Sequence, residues 1–141
     1  MIAGYSGTAL PKKLGIGPGD DLAVLGAPEG FSLDDLPPGV QTRRRAQGLF
    51  DVVVSFHTRR ADLAQRFPVL MRVLSVDGGL WVAWPKRASG VPTDITEDVV
   101  REVALPTGMV DNKVCAIDDT WSGLRLVLRK ELRPGRTTAA G

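Results

Sequence analysis

The chain has 141 residues, 43% of them hydrophobic, enough apolar material for one domain with a core of its own. A formal net charge of +2 is too small to imply nucleic-acid binding by electrostatics alone. One cysteine and one histidine exclude an intramolecular disulfide and argue against a Cys- or His-based metal cluster, so no metal site is expected. The start Met1-Ile-Ala-Gly-Tyr lacks the charged and apolar regions of a signal peptide. No apolar run approaches the ~20 residues of a membrane helix. The expectation is a soluble, cytoplasmic protein with no membrane partner.

In chain order, residues 1–7 look loose, and Thr8 can cap a short helix through Leu14, closed by Gly15. Pro18-Gly19-Asp20 is turn chemistry. Asp21 to Gly26 reads as a strand running into the loop Ala27-Pro-Glu-Gly30, and Leu33 to Leu36 as a short helical piece stopped by Pro37-Pro38-Gly39. Val40 to Arg44 is polar enough for an edge strand. Phe50 to Phe56 is apolar and β-branched, a buried strand.

Thr58 is placed to cap the next helix, in which Leu63, Phe67, Leu70, Met71 and Leu74 recur as one apolar stripe. Pro68 interrupts the pattern and should either kink the helix or start a second one. Leu80 to Trp84, between a Gly78-Gly79 turn and Pro85, is too short for a helix and wholly apolar, so it reads as a strand buried on both faces. Ser89 to Pro92 is a loop. Asp94 and Glu97 form a capping pair for a helix burying Ile95, Val99 and Val103, which ends near Pro106-Thr-Gly108. Lys113–Ile117 and Leu124–Arg129 are strands of a hairpin joined by residues 118–123.

Strands alternating with helices predict an α/β fold: a single Rossmann-like three-layer sandwich, with about five parallel strands and a closing antiparallel strand from the C-terminal hairpin. Residues 1–132 form the single domain, and 133–141 a mobile tail with nothing to bury.

This order of elements is similar to a shortened class I S-adenosylmethionine-dependent methyltransferase domain, and residues 70–82 look like the helix-to-strand segment ahead of the fifth strand of such enzymes. Gly4–Thr8, Lys13–Ile16, Gly79–Lys86, Thr96–Glu102 and Thr120–Val127 also resemble a small bacterial family described only as a domain of unknown function, which implies no activity. The methyltransferase resemblance implies a G-x-G-x-G cofactor loop after the first strand and an acid at the end of the next. Here the loop positions are Gly26, Pro28 and Gly30. Pro28 has no N–H to offer and its ring fills the space a glycine would leave. Arg43, Arg44 and Arg45 stand where the acid is expected. Both departures argue against ordinary S-adenosylmethionine binding. The arginines suit either the 2′-phosphate of NADP or a solvated edge strand.

In a parallel sheet the loops after the strands gather on one rim, where ligands bind. That rim collects Gly26, Pro28, Glu29 and Gly30 from the first loop, and His57, Thr58, Arg59 and Arg60 from the third strand's end. Lys86, Arg87 and Ser89 follow the Trp84 strand, and Trp121 with Asp119 lies in the hairpin turn. The cations suit a phosphate or carboxylate, helped by the helix N-terminus after Thr58. Glu29 and His57 are each either a general base or an ordinary rim residue. Ser89 lacks a nucleophile elbow, and Cys115 reads as a core thiol. Trp81 and Trp84, three apart on a strand, point to opposite faces. Trp121 must bury under the hairpin, over the site or against a partner.

The functional reading is a methyltransferase-like domain without its standard cofactor loop. It leans to a non-catalytic binding or regulatory module whose partner is an anionic small molecule or a protein. The alternative is a divergent S-adenosylmethionine-dependent methyltransferase. Dispersed basic residues and few aromatics argue against a nucleic-acid partner.

Overall fold

The apolar runs of the sequence assemble into one six-stranded sheet in the computed structural model, which describes residues 9–133. The elements are α1 (Leu10–Lys13), β1 (Asp21–Leu25), β2 (Gln41–Arg43), β3 (Phe50–Phe56), α2 (Arg60–Val73), β4 (Leu74–Pro85), α3 (Glu97–Ala104), β5 (Met109–Ala116) and β6 (Trp121–Leu128). The strand order is β2-β1-β3-β4-β6-β5. Strands β2, β1, β3 and β4 pair in parallel, and β6 inserts antiparallel between β4 and β5. Five strands therefore point one way and β6 the other, the mixed α/β sheet the sequence predicts.

The two faces are covered differently. On one, Val53, Leu80, Val82 and Trp84 pack against Leu63, Phe67 and Leu70 of α2 and Val100 and Ala104 of α3. On the other, Val52, Val54, Phe56 and Trp81 meet Leu14 and Ile16, with Phe31, Leu33, Leu36 and Val40 laid over them. The expected helix at Leu33–Leu36 is absent, and that stretch is irregular. Asp35 stands at φ 61, and Pro37 disfavours helical geometry at Leu36, so the leucines reach the core from non-helical chain. Apart from the four residues of α1, this layer is loop.

Helix α2 runs unbroken through Pro68. Pro68 and Ala64 are both exposed, so the carbonyl that loses its partner faces water. Gly78 and Gly79 do not form a turn; β4 begins at Leu74 and passes through them, with a register shift against β3 between Phe50 and Val52. A Cβ at Gly78 would stand 2.8 Å from the Asp51 carbonyl, so only glycine allows that close approach.

The capping pattern also differs. Arg59 is the N-cap of α2 with no side-chain bond, and the Arg60 amide is capped from a distance by Asp94 Oδ1 at 2.6 Å. Helix α3 is capped instead by Thr96, whose Oγ1 accepts from Val99 N at 3.2 Å. It buries Val100 and Ala104, with Val99 and Val103 half-buried and Ile95 buried just ahead of it. The hairpin turn shortens to Asp118–Thr120, because Trp121 already belongs to β6. Arg133, expected in the tail, is anchored, its Nε donating to Leu128 O at 3.0 Å. The expectations for residues 1–8, including the Thr8 cap, and for the tail at 134–141 lie outside the described residues. Among the described residues no helix is long and apolar enough to cross a membrane.

Candidate functional site

Strand order reverses at β1: the chain leaves it for β2 on one side, and β3 pairs on the other. In open α/β sheets ligands bind at such a switch point, outside the carboxyl ends of the strands. Here that crevice lies between the loop after Leu25 and the loop after Phe56. Gly26, at φ 68, is exposed, and a Cβ there would stand 3.1 Å from Phe56 O. Pro28 to Phe31 is a tight turn closed by Phe31 N donating to Pro28 O at 3.1 Å, with Gly30 at φ 85 in its third position. Glu29 projects from the turn into solvent. No helix follows this loop, so no helix N-terminus presents amides at the first strand's end.

The rim on the β3 side is built from groups already engaged with one another. His57 is buried; its Nδ1 lies 2.6 Å from Asp62 Oδ2 and its Nε2 2.7 Å from Ser55 Oγ. A carboxylate only accepts, so Nδ1 carries a proton, and in the neutral ring Nε2 accepts from the Ser55 hydroxyl. The order Ser-His-Asp is that of a nucleophilic triad. Ser55, however, is 2% exposed, so no acyl group reaches its oxygen. The chain works as a hydrogen-bonded strut between β3 and α2. Sequence reading missed Ser55; its signal was a lone polar side chain in an apolar strand, two residues from His57 and on the same face.

Thr58 contributes its carbonyl, which accepts from Thr93 Oγ1 at 2.7 Å and Asp94 N at 3.4 Å. The first amide of α2 is therefore occupied by the Asp94 carboxylate and is not free for an external anion. Arg60 Nη1 pairs with Glu102 at 3.4 Å, leaving Arg59, Lys86 and Arg87 as cations with no carboxylate within 4.0 Å among the described residues. Ser89 makes the turn after β4: its hydroxyl donates to Lys86 O at 2.7 Å and accepts from Val91 N at 3.2 Å. Lys86 N donates to Thr120 O at 2.7 Å, which brings the β4 loop and the hairpin turn to one end of the sheet, as expected.

Trp121 is buried. Its ring meets Phe56 edge-on at 5.1 Å, and Phe56 meets Phe31 at 4.9 Å. Of the roles open to it, packing under the hairpin is the one observed. Trp81 and Trp84 do fall in opposite cores. Cys115 is half-buried on the edge strand β5, not a core thiol, and burial raises its pKa, which keeps it a weak nucleophile. Arg43 to Arg45 are all exposed and line an open cleft of about 720 Å³ with Asp21, Leu49 and Phe50. Further clefts of about 230 and 140 Å³ lie elsewhere, and none of the three is lined by a residue of the Gly26–Gly30 loop. Among the described residues no three His, Cys, Asp or Glu side chains gather as metal ligands.

No protein-family model matches the chain, and no curated protein matches it in sequence. Solved structures do match in fold. An S-adenosylmethionine-dependent methyltransferase from Aquifex aeolicus aligns at TM-score 0.58 with 13% identity, covering 82% of this chain and 85% of that one. A ribosomal protein L11 methylase from Lactobacillus delbrueckii subsp. bulgaricus aligns at TM-score 0.56 with 11% identity, over 85% and 75% of the two chains. The Methanococcus jannaschii fibrillarin pre-rRNA processing protein aligns at 0.55 with 11% identity, over 80% and 68%. The chain has a methyltransferase-like Rossmann fold, and at these identities the likeness extends to the fold alone.

Proposed function

We propose that this domain keeps the methyltransferase-like scaffold but is a non-catalytic binding module for an anionic small molecule at the carboxyl rim of its sheet. The observation that carries the reading is the chain after β1. Gly26 to Phe31 closes into a turn on Pro28 and leads into an irregular crossover. Both amide sources that would cradle an adenosyl cofactor's polar groups, a glycine-lined loop and a helix N-terminus, are missing there. What the rim offers is positive charge, from Arg59, Lys86 and Arg87. A protein partner would use the same charges. The likeness in fold to solved methyltransferases supports the alternative of a divergent enzyme, in which Glu29 at the first loop would be the candidate base.

Titration of the full chain with ATP, a small polyanion, tests the rim. Arg59→Ala, Lys86→Ala and Arg87→Ala combined should weaken ATP binding about tenfold, from lost charge-assisted contacts. Binding that the triple variant leaves unchanged would remove the rim from the account.

A further inference from the structure

Away from the rim, on the loop-covered face, a cavity of about 230 Å³ is lined by Lys12, Lys13, Leu14, Gly15, Asn112, Lys113 and Arg125, with no acidic side chain in its wall. It lies midway along the strands: Arg125 pairs with Trp81 of β4 and Lys113 of β5. Trp121, at the rim, is four residues away, roughly 13 Å along β6. Lys113 Nζ donates to Lys13 O at 3.0 Å, so α1 and β5 hold the two lysines together. The Trp81 indole N–H donates to Leu14 O at 3.0 Å and fixes α1 against the sheet.

Arg125 is the unusual member. It is half-buried, yet among the described residues its guanidinium has neither a hydrogen-bond acceptor nor a carboxylate partner. Burial lowers its pKa, and the nearby charge of Arg133 adds to the effect. Arg133 itself is near Asp77, at 3.9 Å. The space for the guanidinium exists because residue 79 is glycine: a Cβ there would stand 2.5 Å from Nε and 2.7 Å from Nη2. A half-buried arginine fork with three lysines around it and no acid in the wall is a charge arrangement that an external anion would complete.

We propose that this basket binds a phosphate group carried by a small molecule, Arg125 supplying the fixed planar fork and Lys13 and Lys113 the adaptable charges. Four cations match the double charge of a phosphate better than the single charge of a carboxylate. The volume is below the roughly 300–1,000 Å³ of drug-sized pockets, so the cavity takes the charged group while the rest of the ligand lies outside. This site is separate from the carboxyl rim and does not depend on the reading proposed for it.

The test is an NMR titration of the full chain with inorganic pyrophosphate at physiological salt, read at the Trp81 indole N–H and the amides of Gly15, Gly79 and Lys113. Saturable shifts at these positions are expected, with the midpoint raised about tenfold by Arg125→Met. Arg72→Met, at an exposed position of α2, should leave the midpoint unchanged. If Arg125→Met does not fold, Lys13→Met combined with Lys113→Met carries the test, with the same direction expected. No saturable shift, or shifts indifferent to these variants, would overturn the site. A response to a single-stranded oligonucleotide but not to pyrophosphate would overturn it too, in favour of nucleic acid.

Discussion

The two faces of the sheet solve the same burial problem in opposite ways. The helical face closes itself with regular structure and with charges that find partners. Arg101 bonds Asp111 at 3.1 Å and Asp98 at 2.9 Å and also pairs with Glu97, and these acids raise its pKa. Arg60 pairs with Glu102, and Asp94 caps α2 from the neighbouring loop. The other face is covered by one short helix and an irregular crossover, and its cations at Lys12, Lys13, Lys113 and Arg125 have no acid beside them in their cavity. Where charges are mutually satisfied the surface is finished; where they are not, an external anion is the proposed partner. Both proposed binding sites, the rim cations and the Arg125 basket, lie where positive charges lack such partners.

The contrast can be broken by energetics. Phe67→Ala, in the helical core at 2% exposure, should cost about 3–5 kcal/mol in urea denaturation. Leu36→Ala, half-buried in the irregular layer, should cost about 1 kcal/mol. Equal costs would mean that the crossover packs as tightly as a helix and that the faces do not differ. Ser55→Ala removes one end of the buried strut and leaves His57 Nε2 without its partner, which should cost about 1–3 kcal/mol. A neutral result in the same denaturation assay would show that water replaces the hydroxyl.

Two further variants compare one backbone feature from each face. Asp94→Ala strips the cap from α2 and should lower stability by about 1 kcal/mol. Gly30→Ala, at φ 85 with open space around it, pays only the conformational cost of a left-handed residue, about 1–2 kcal/mol. Thermal melting of both variants checks the pair. A Gly30→Ala loss well beyond that range would mean that the turn is locked by contacts as well as by its own geometry.

The sheet was largely legible in the sequence because its strands are short apolar runs bounded by glycine, proline and polar residues. Phe50–Phe56 and the hairpin strands stand close to where composition puts them. What the sequence hid were long-range substitutions of one group for another. Asp94 has the spacing of a local cap but caps a helix 34 residues earlier in the chain. Gly78-Gly79 has turn composition, yet sits inside β4, at positions where neighbouring groups leave no room for a Cβ. At the rim, the loops gathered as expected, but Thr58 and Ser89 are consumed by turn and loop hydrogen bonds, and Trp121 by the aromatic core. The Arg125 basket joins α1 to the closing hairpin, bridged by Lys113 and Lys13, 100 residues apart in the chain, a long-range meeting that local patterning does not announce.

The central proposal is that the methyltransferase-like fold stands here without the ordinary cofactor site. Calorimetric titration of the full chain with S-adenosylmethionine, with S-adenosylhomocysteine and NADPH in parallel, tests it most directly. No saturable heat is expected from any of the three at micromolar concentration. Micromolar binding of S-adenosylmethionine that Glu29→Ala abolishes would contradict it and make the domain a divergent enzyme.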